Sequence, residues 1–232
     1  MALGDAYRTG KIPYNPMKNV KKPIRKKKNI ITLSIEEKKK LFQAFLNSPW
    51  CLEFLLAFIC GLKKGEILSL KFTDIDMENK TLRIPKKQVG ADKQQVFTGE
   101  MSTDKYHYIK LPQVVLNQFK IRRTRAEYEK TTCKNEYQDN EYVSSQTCGK
   151  SRGYTSMNTE LTRLCDRIGL PHLTVSDLRD LYATMMLQDL KVSFVELKEL
   201  MRYSAIGDVY ERYCDLTDDN TDLAGTIDKI FG

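Results

Sequence analysis

Histidine is scarce in this sequence, with two in 232 residues, and there is a single tryptophan. The six cysteines, at positions 51, 60, 133, 148, 165 and 214, include no CxxC pair. With His107 and His172 as the only imidazoles, neither a zinc site nor a compact disulfide framework is indicated. Cys51, Cys60 and Cys165 stand in apolar, helix-like surroundings and are expected in the core as free thiols. Long apolar runs are also lacking. The longest, from Phe54 to Cys60, is far too short to span a bilayer, and no apolar leader opens the chain. These absences set the expectation of a cytoplasmic, reduced protein with no membrane segment, no metal and no internal repeat.

What is present is a foldable amount of apolar residue, 41%, and a net charge of +8 with a pI near 9.0. The excess is uneven. Arg8, Lys11, Lys18, Lys21, Lys22, Arg25, Lys26, Lys27 and Lys28 crowd the first thirty residues against Asp5 alone. Such a run attracts polyanions by releasing their condensed counterions, which puts nucleic acid first among partners and an anionic membrane surface second. On charge alone, a solvated linker kept extended by self-repulsion is an equal alternative. Pro13, Pro16 and Pro23 forbid a continuous helix here, so residues 1–30 read as an extended arm.

Order is expected from Ser34, where Ser34 and Glu37 have the spacing of a capping box ahead of the amphipathic KKKLFQAFL. A second helix through WCLEFLLAFIC should stop at Gly61 in the left-handed region, and a short third runs from Lys64 to Leu70. TLRIP and HYIKLP alternate as strands do, with a long polar stretch from Gln88 to Lys105 between them, so a small antiparallel sheet with an enlarged hairpin loop is predicted. Helical periodicity returns in PQVVLNQFKIRRTRAEYEK, SMNTELTRLCDRIGL, VSDLRDLYATMMLQDL and SFVELKELM, with a short helix near Tyr210 and Tyr213 and a polar loop from Thr131 to Gly153. The fold class is mainly α with a small antiparallel β insertion.

Three segments together point to a family. ICGLKKGEILSLKFTDID, LTVSDLRDLYAT and LMRYSAIGDVYERY resemble, in order and separation, the three signature segments of the tyrosine recombinase, or phage integrase, family. The resemblance spans about Ile30 to Tyr213. It implies a catalytic-type domain over 31–232, a linker role for residues 1–30, and a separate N-terminal core-binding domain that this chain lacks. The chemistry it implies is attack of a tyrosine oxygen on a DNA phosphodiester. Two arginines grip the nonbridging oxygens, a hairpin lysine protonates the leaving oxygen and histidines move protons, with no metal or other cofactor. Family members also close around duplex DNA as a clamp and exchange a C-terminal segment between protomers.

Carried over residue by residue, the match is uneven. Arg179 stands at the second arginine position and Tyr213 at that of the nucleophile, with Tyr210 one helical turn earlier. Lys86 and Lys87 fall in the region of the hairpin lysine. The first arginine position holds Lys63, without the planar fork that grips two oxygens. The histidine position holds Ser176, the histidine or tryptophan position holds Tyr203, and Arg202 stands where the family usually has glycine. Losing one preorganised oxyanion donor costs about 2.7 to 4 kcal/mol of transition-state stabilisation, so strand exchange is expected to be impaired. Binding of double-stranded DNA is expected to persist through Lys63, Lys64, Lys86, Lys87, Arg179, Arg202 and the arm lysines Lys26, Lys27 and Lys28.

Read alone, Arg179 is as well explained by an ion pair with Glu66 or Asp177, and Tyr213 by ordinary partial burial. The leading expectation is a catalytically degenerate DNA-binding regulator, of the repressor type, in a bacterial cell or a phage-infected host. The alternatives are an active site-specific recombinase with an unusual pocket, and a scaffold that does not touch DNA. The apolar spacing of Leu223, Ile227 and Ile230 suits packing of the tail on a neighbour in a homo-oligomer.

Overall fold

The computed structural model describes residues 2–20, 29–85 and 106–216. Helix α1 (Ala2–Arg8) and a 3-10 turn (Pro16–Asn19) lie within the segment expected to be extended. The correction has a simple cause: the first proline is Pro13, so nothing in the first eight residues forbids a turn or two of helix, and Arg8 pairs with Asp5 one turn earlier. Of the basic arm, Lys21, Lys22, Arg25, Lys26, Lys27 and Lys28 lie outside the described residues.

The body begins where the capping box places it. Ser34 accepts from the Glu37 amide and the Glu37 carboxylate accepts from the Ser34 amide at 2.8 Å, opening α2 (Ile35–Leu46). α3 (Cys51–Phe58) is buried along its whole length, as a run apolar at every position but Glu53 requires, and Glu53 is met inside by the Ser144 hydroxyl at 2.8 Å. It ends at Gly61, whose φ of +62° and the bond from the Leu62 amide to the Leu56 carbonyl turn the chain back into α4 (Lys64–Ser69). The antiparallel sheet has the order β1 (Ile75–Asp76), β2 (Thr81–Pro85), β3 (Tyr106–Lys110). Leu82 and Ile84 point into the core while Arg83, opposite Tyr108, points out. The hairpin loop, with Lys86 and Lys87, lies outside the described residues.

α5 (Gln113–Cys133) runs slightly beyond the predicted stretch. The polar segment after it is no plain loop. It pairs edgewise with the end of α4 through the Val143 amide and the Leu70 carbonyl at 2.8 Å, buries Val143, and is closed by a disulfide between Cys133 and Cys148. This disulfide corrects the expectation of a wholly reduced cysteine set; at a sequence separation of fifteen, the polar chain between them gave no sign that the two ends fold together. Cys51, Cys60 and Cys165 are free and buried, as expected. Burial pushes the Cys60 thiol up to about 12, so it behaves as a small apolar group.

α6 (Ser156–Ile168) and α7 (Val175–Thr184) complete the main core, and α7 continues through a π turn at Met185–Asp189. α8 (Phe194–Met201) and α9 (Ile206–Tyr213) pack on the end of α7 around a second apolar cluster of Ala183, Leu187, Leu197, Met201, Val209 and Tyr213. α7 therefore belongs to both cores. Among the described residues, no helix is long and apolar enough to cross a membrane.

Candidate functional site

The three motif segments converge where α7 passes between the two cores. The first supplies the Gly61–Glu66 turn, the second the face of α7 bearing Ser176, Arg179 and Asp180, and the third the end of α8 and the whole of α9. Thr174 opens α7 as a capping residue, its hydroxyl and amide both bound to Asp177. One turn into this fixed start, Arg179 is aimed across at the C-terminus of α8.

Arg179 is partly exposed. One Nη donates to the Met201 carbonyl, the guanidinium lies 5.2 Å from the centre of the Tyr203 ring, and the buried Nε has no partner among the described residues. The ion pair that would have made it structural is committed elsewhere: Glu66 is bound by Arg202, and Asp177 by Thr174. Burial pulls the proton affinity of Arg179 down, and the neighbouring Arg202 adds to this.

Lys63 is exposed at the start of α4, its amide donating to Glu66 at 2.7 Å. Its ammonium is also held below the ordinary lysine range, by partial burial first and then by Arg179 and Arg202. The field of these cations favours an anion. Lys64 is half-buried, with its ammonium 3.8 Å from the centre of the Tyr154 ring. Ser176 is exposed in the first turn of α7. Arg202 points inward: its side chain is 3% exposed, and it donates to Glu66, to the Gly61 carbonyl at 2.8 Å and to the Leu200 carbonyl at 2.9 Å.

Tyr213 is fully buried. Its hydroxyl donates to Asp180 Oδ1 at 2.8 Å and stands 3.4 Å from the Tyr203 hydroxyl. Arg212 grips the same carboxylate through Nε at 2.9 Å and Nη2 at 2.6 Å. Burial, and next the Asp180 charge, push the Tyr213 phenol well above its usual range. Tyr210, the other tyrosine of α9, is exposed and packs edge-on against Phe194.

The structure thus brings Lys63, Arg179, Tyr203 and Tyr213 into one neighbourhood, with Ser176 at its rim, and Lys86 and Lys87 outside the described residues. Sequence reading missed Asp180 and Arg212. The available signal was a pair of opposite charges, each directly following or preceding a matched position. Among the described residues no group of histidine, cysteine and carboxylate side chains could hold a metal.

Comparisons with known proteins bear on the fold and the family. A tyrosine recombinase XerC-like protein from Caldanaerobacter subterraneus subsp. tengcongensis is 27% identical over 219 residues, covering 87% of this chain and 55% of that protein. An integrase from Saccharopolyspora erythraea is 31% identical over 85 residues, 37% of this chain and 20% of its own length. The chain thus spans about half, or less, of these curated relatives. Among solved structures, the Tn1549 transposon integrase with a circular intermediate DNA superposes with a TM-score of 0.67 at 15% identity, covering 99% of this chain and 76% of that one. The XerH recombinase bound to its difH substrate gives 0.64 at 16% identity, covering 92% and 57%. At such identities the superpositions show a shared fold. The model of the phage integrase family matches residues 28–220, and with the three segments gathered around Arg179 and Tyr213 the chain belongs to that family.

Proposed function

We propose that the protein binds duplex DNA through the cleft around Arg179 and Lys63 and acts as a sequence-specific regulator of the repressor type, from a phage or mobile element, without cutting DNA. The observation that carries this reading is the Asp180 carboxylate bonded to the Tyr213 hydroxyl at 2.8 Å. A nucleophile must shed its proton to attack a phosphate, and here the proton is held against a buried carboxylate that Arg212 also grips. Lys63, Ser176 and Tyr203 compound the effect, since none restores the fork or the proton carrier the chemistry needs. The uncommitted donors of Arg179 and Lys63, with Lys64, Lys86, Lys87 and the arm lysines Lys26, Lys27 and Lys28, support backbone contact.

The test compares gel shifts with SDS-resistant complexes on labelled DNA fragments from the source. Salt-sensitive binding without a covalent species, equal in Tyr213→Phe, is the expected result. A covalent species that vanishes in Tyr213→Phe overturns the regulator reading. The same 2.8 Å contact supports a second reading, an active recombinase in which Asp180 accepts the Tyr213 proton. That reading requires Asp180→Asn to abolish the covalent species as well.

Association of copies on DNA belongs to the same proposal. Val195, Ile206 and Tyr210 are exposed on α8 and α9, offering apolar surface to a neighbour's tail. Leu223, Ile227 and Ile230, which would fill it, lie outside the described residues. Truncation after Leu216 should leave the protein monomeric by light scattering on DNA where the full chain associates.

A further inference from the structure

Arg202 occupies a costly place. It caps α8 with φ +56° and ψ +48°, a left-handed conformation that disfavours a side chain and that glycine adopts freely. An arginine kept there needs an offsetting gain, and the gain is visible. The guanidinium reaches back 136 residues to Glu66, which it meets at 2.8 Å through Nη2 and 3.4 Å through Nε. The same Nη2 donates to the Gly61 carbonyl at 2.8 Å. Glu66 Oε2 in turn accepts the Lys63 amide at 2.7 Å. One guanidinium therefore fixes both ends of the turn that carries Lys63, and does so in a dry setting where such bonds are strong and hard to replace with water.

We infer that Arg202 is a positioning residue: it locks the Gly61–Glu66 turn so that the Lys63 ammonium is presented beside Arg179 as a second phosphate contact. This rests on the reading of the cleft as a DNA site, and it deepens it. Lysine loses more freedom on binding than an arginine fork does, so a lysine at this position gains most from a rigid platform. Glu66 is engaged by Arg202 and the Lys63 amide, and Lys63 is an exposed residue at the edge of this turn.

A double-mutant cycle on salt-dependent affinity for a labelled duplex tests it. Lys63→Ala is expected to weaken binding about tenfold in the parent protein and less than about twofold in an Arg202→Gly background, because the platform is already lost. Equal losses in both backgrounds overturn the inference. If Arg202→Gly is too unstable, the double change Glu66→Gln with Arg202→Gly removes both buried charges together and serves as the background. A second readout needs no DNA: reductive methylation with a carbon-13 label follows the titration of Lys63 by NMR. Because loss of the Arg202 charge alone would raise the midpoint, the comparison is with Arg202→Lys, which keeps the charge without the fork: as the turn loosens the midpoint should still move toward the ordinary lysine range, and an unchanged midpoint overturns the inference. Absence of any salt-dependent duplex binding by the parent protein would instead overturn the DNA-binding reading, with the Lys63 titration still deciding the role of Arg202.

Discussion

Two buried carboxylates tie the third motif segment to the rest of the protein, and they are built differently. Glu66 meets Arg202 with both side chains nearly dry, 6% and 3% exposed. Asp180 meets Arg212, whose side chain is 31% exposed, and also holds the Tyr213 hydroxyl. The first pair joins segments far apart in sequence and has no route to water if one partner is lost. The second has a cation that can hydrate and a phenol that can titrate. One junction is therefore a fixed brace, while the other is a place where charge and proton can change.

The contrast is broken most severely at the brace. Glu66→Ala should destabilise the protein by about 3–5 kcal/mol in urea unfolding, since it strands a buried guanidinium. Reduction of the Cys133–Cys148 disulfide, or Cys148→Ser, is a control distant from both in sequence that opens a loop closed at a sequence separation of fifteen; it should cost about 3 kcal/mol and add independently to either carboxylate change. Asp180→Ala should cost less than Glu66→Ala, about 1–3 kcal/mol, because Arg212 can turn to solvent. A cost equal to that of Glu66→Ala would remove the distinction between the two junctions.

The smallest effect is alkaline. The Tyr213 phenol is raised in the folded protein, so the unfolded chain loses its proton first. The contribution of Tyr213 is therefore complete below about pH 10 and declines above it, at about 1.4 kcal/mol per pH unit until the folded phenol itself ionises. Cys51, Cys60, Cys165 and Tyr182 are raised by burial as well, so the measurement is the difference between the parent protein and Tyr213→Phe. Parallel stability curves for the two above pH 10 would show that Asp180 does not hold that proton.

Much of this molecule could be read from local chemistry. The Ser34 and Glu37 capping box, the left-handed stop at Gly61, the strands at Thr81–Pro85 and Tyr106–Lys110 and the helix carrying Arg179 all follow from periodicity and from residues a few places apart. So did the free, buried state of Cys51, Cys60 and Cys165, since an apolar neighbourhood is itself a sequence property. The family was legible because three spaced segments carry it jointly, although each alone has an ordinary structural explanation.

Partner choice was not legible, because it is decided by contacts between segments. Arg202 reads as one more cation near a DNA site, yet it turns inward to Glu66 and the Gly61 carbonyl. Tyr213 reads as one tyrosine among twelve, and only the packing of α9 on α7 puts its hydroxyl on Asp180. Cys133 and Cys148 meet because the intervening segment folds back along the end of α4. The sequence by itself determined the elements, their order and the chemical types that reach the cleft, since these depend on periodicity and short-range hydrogen bonding. Which charge pairs with which, and hence which cations remain open to an anion, was decided only by the tertiary structure, where burial makes each pairing exclusive.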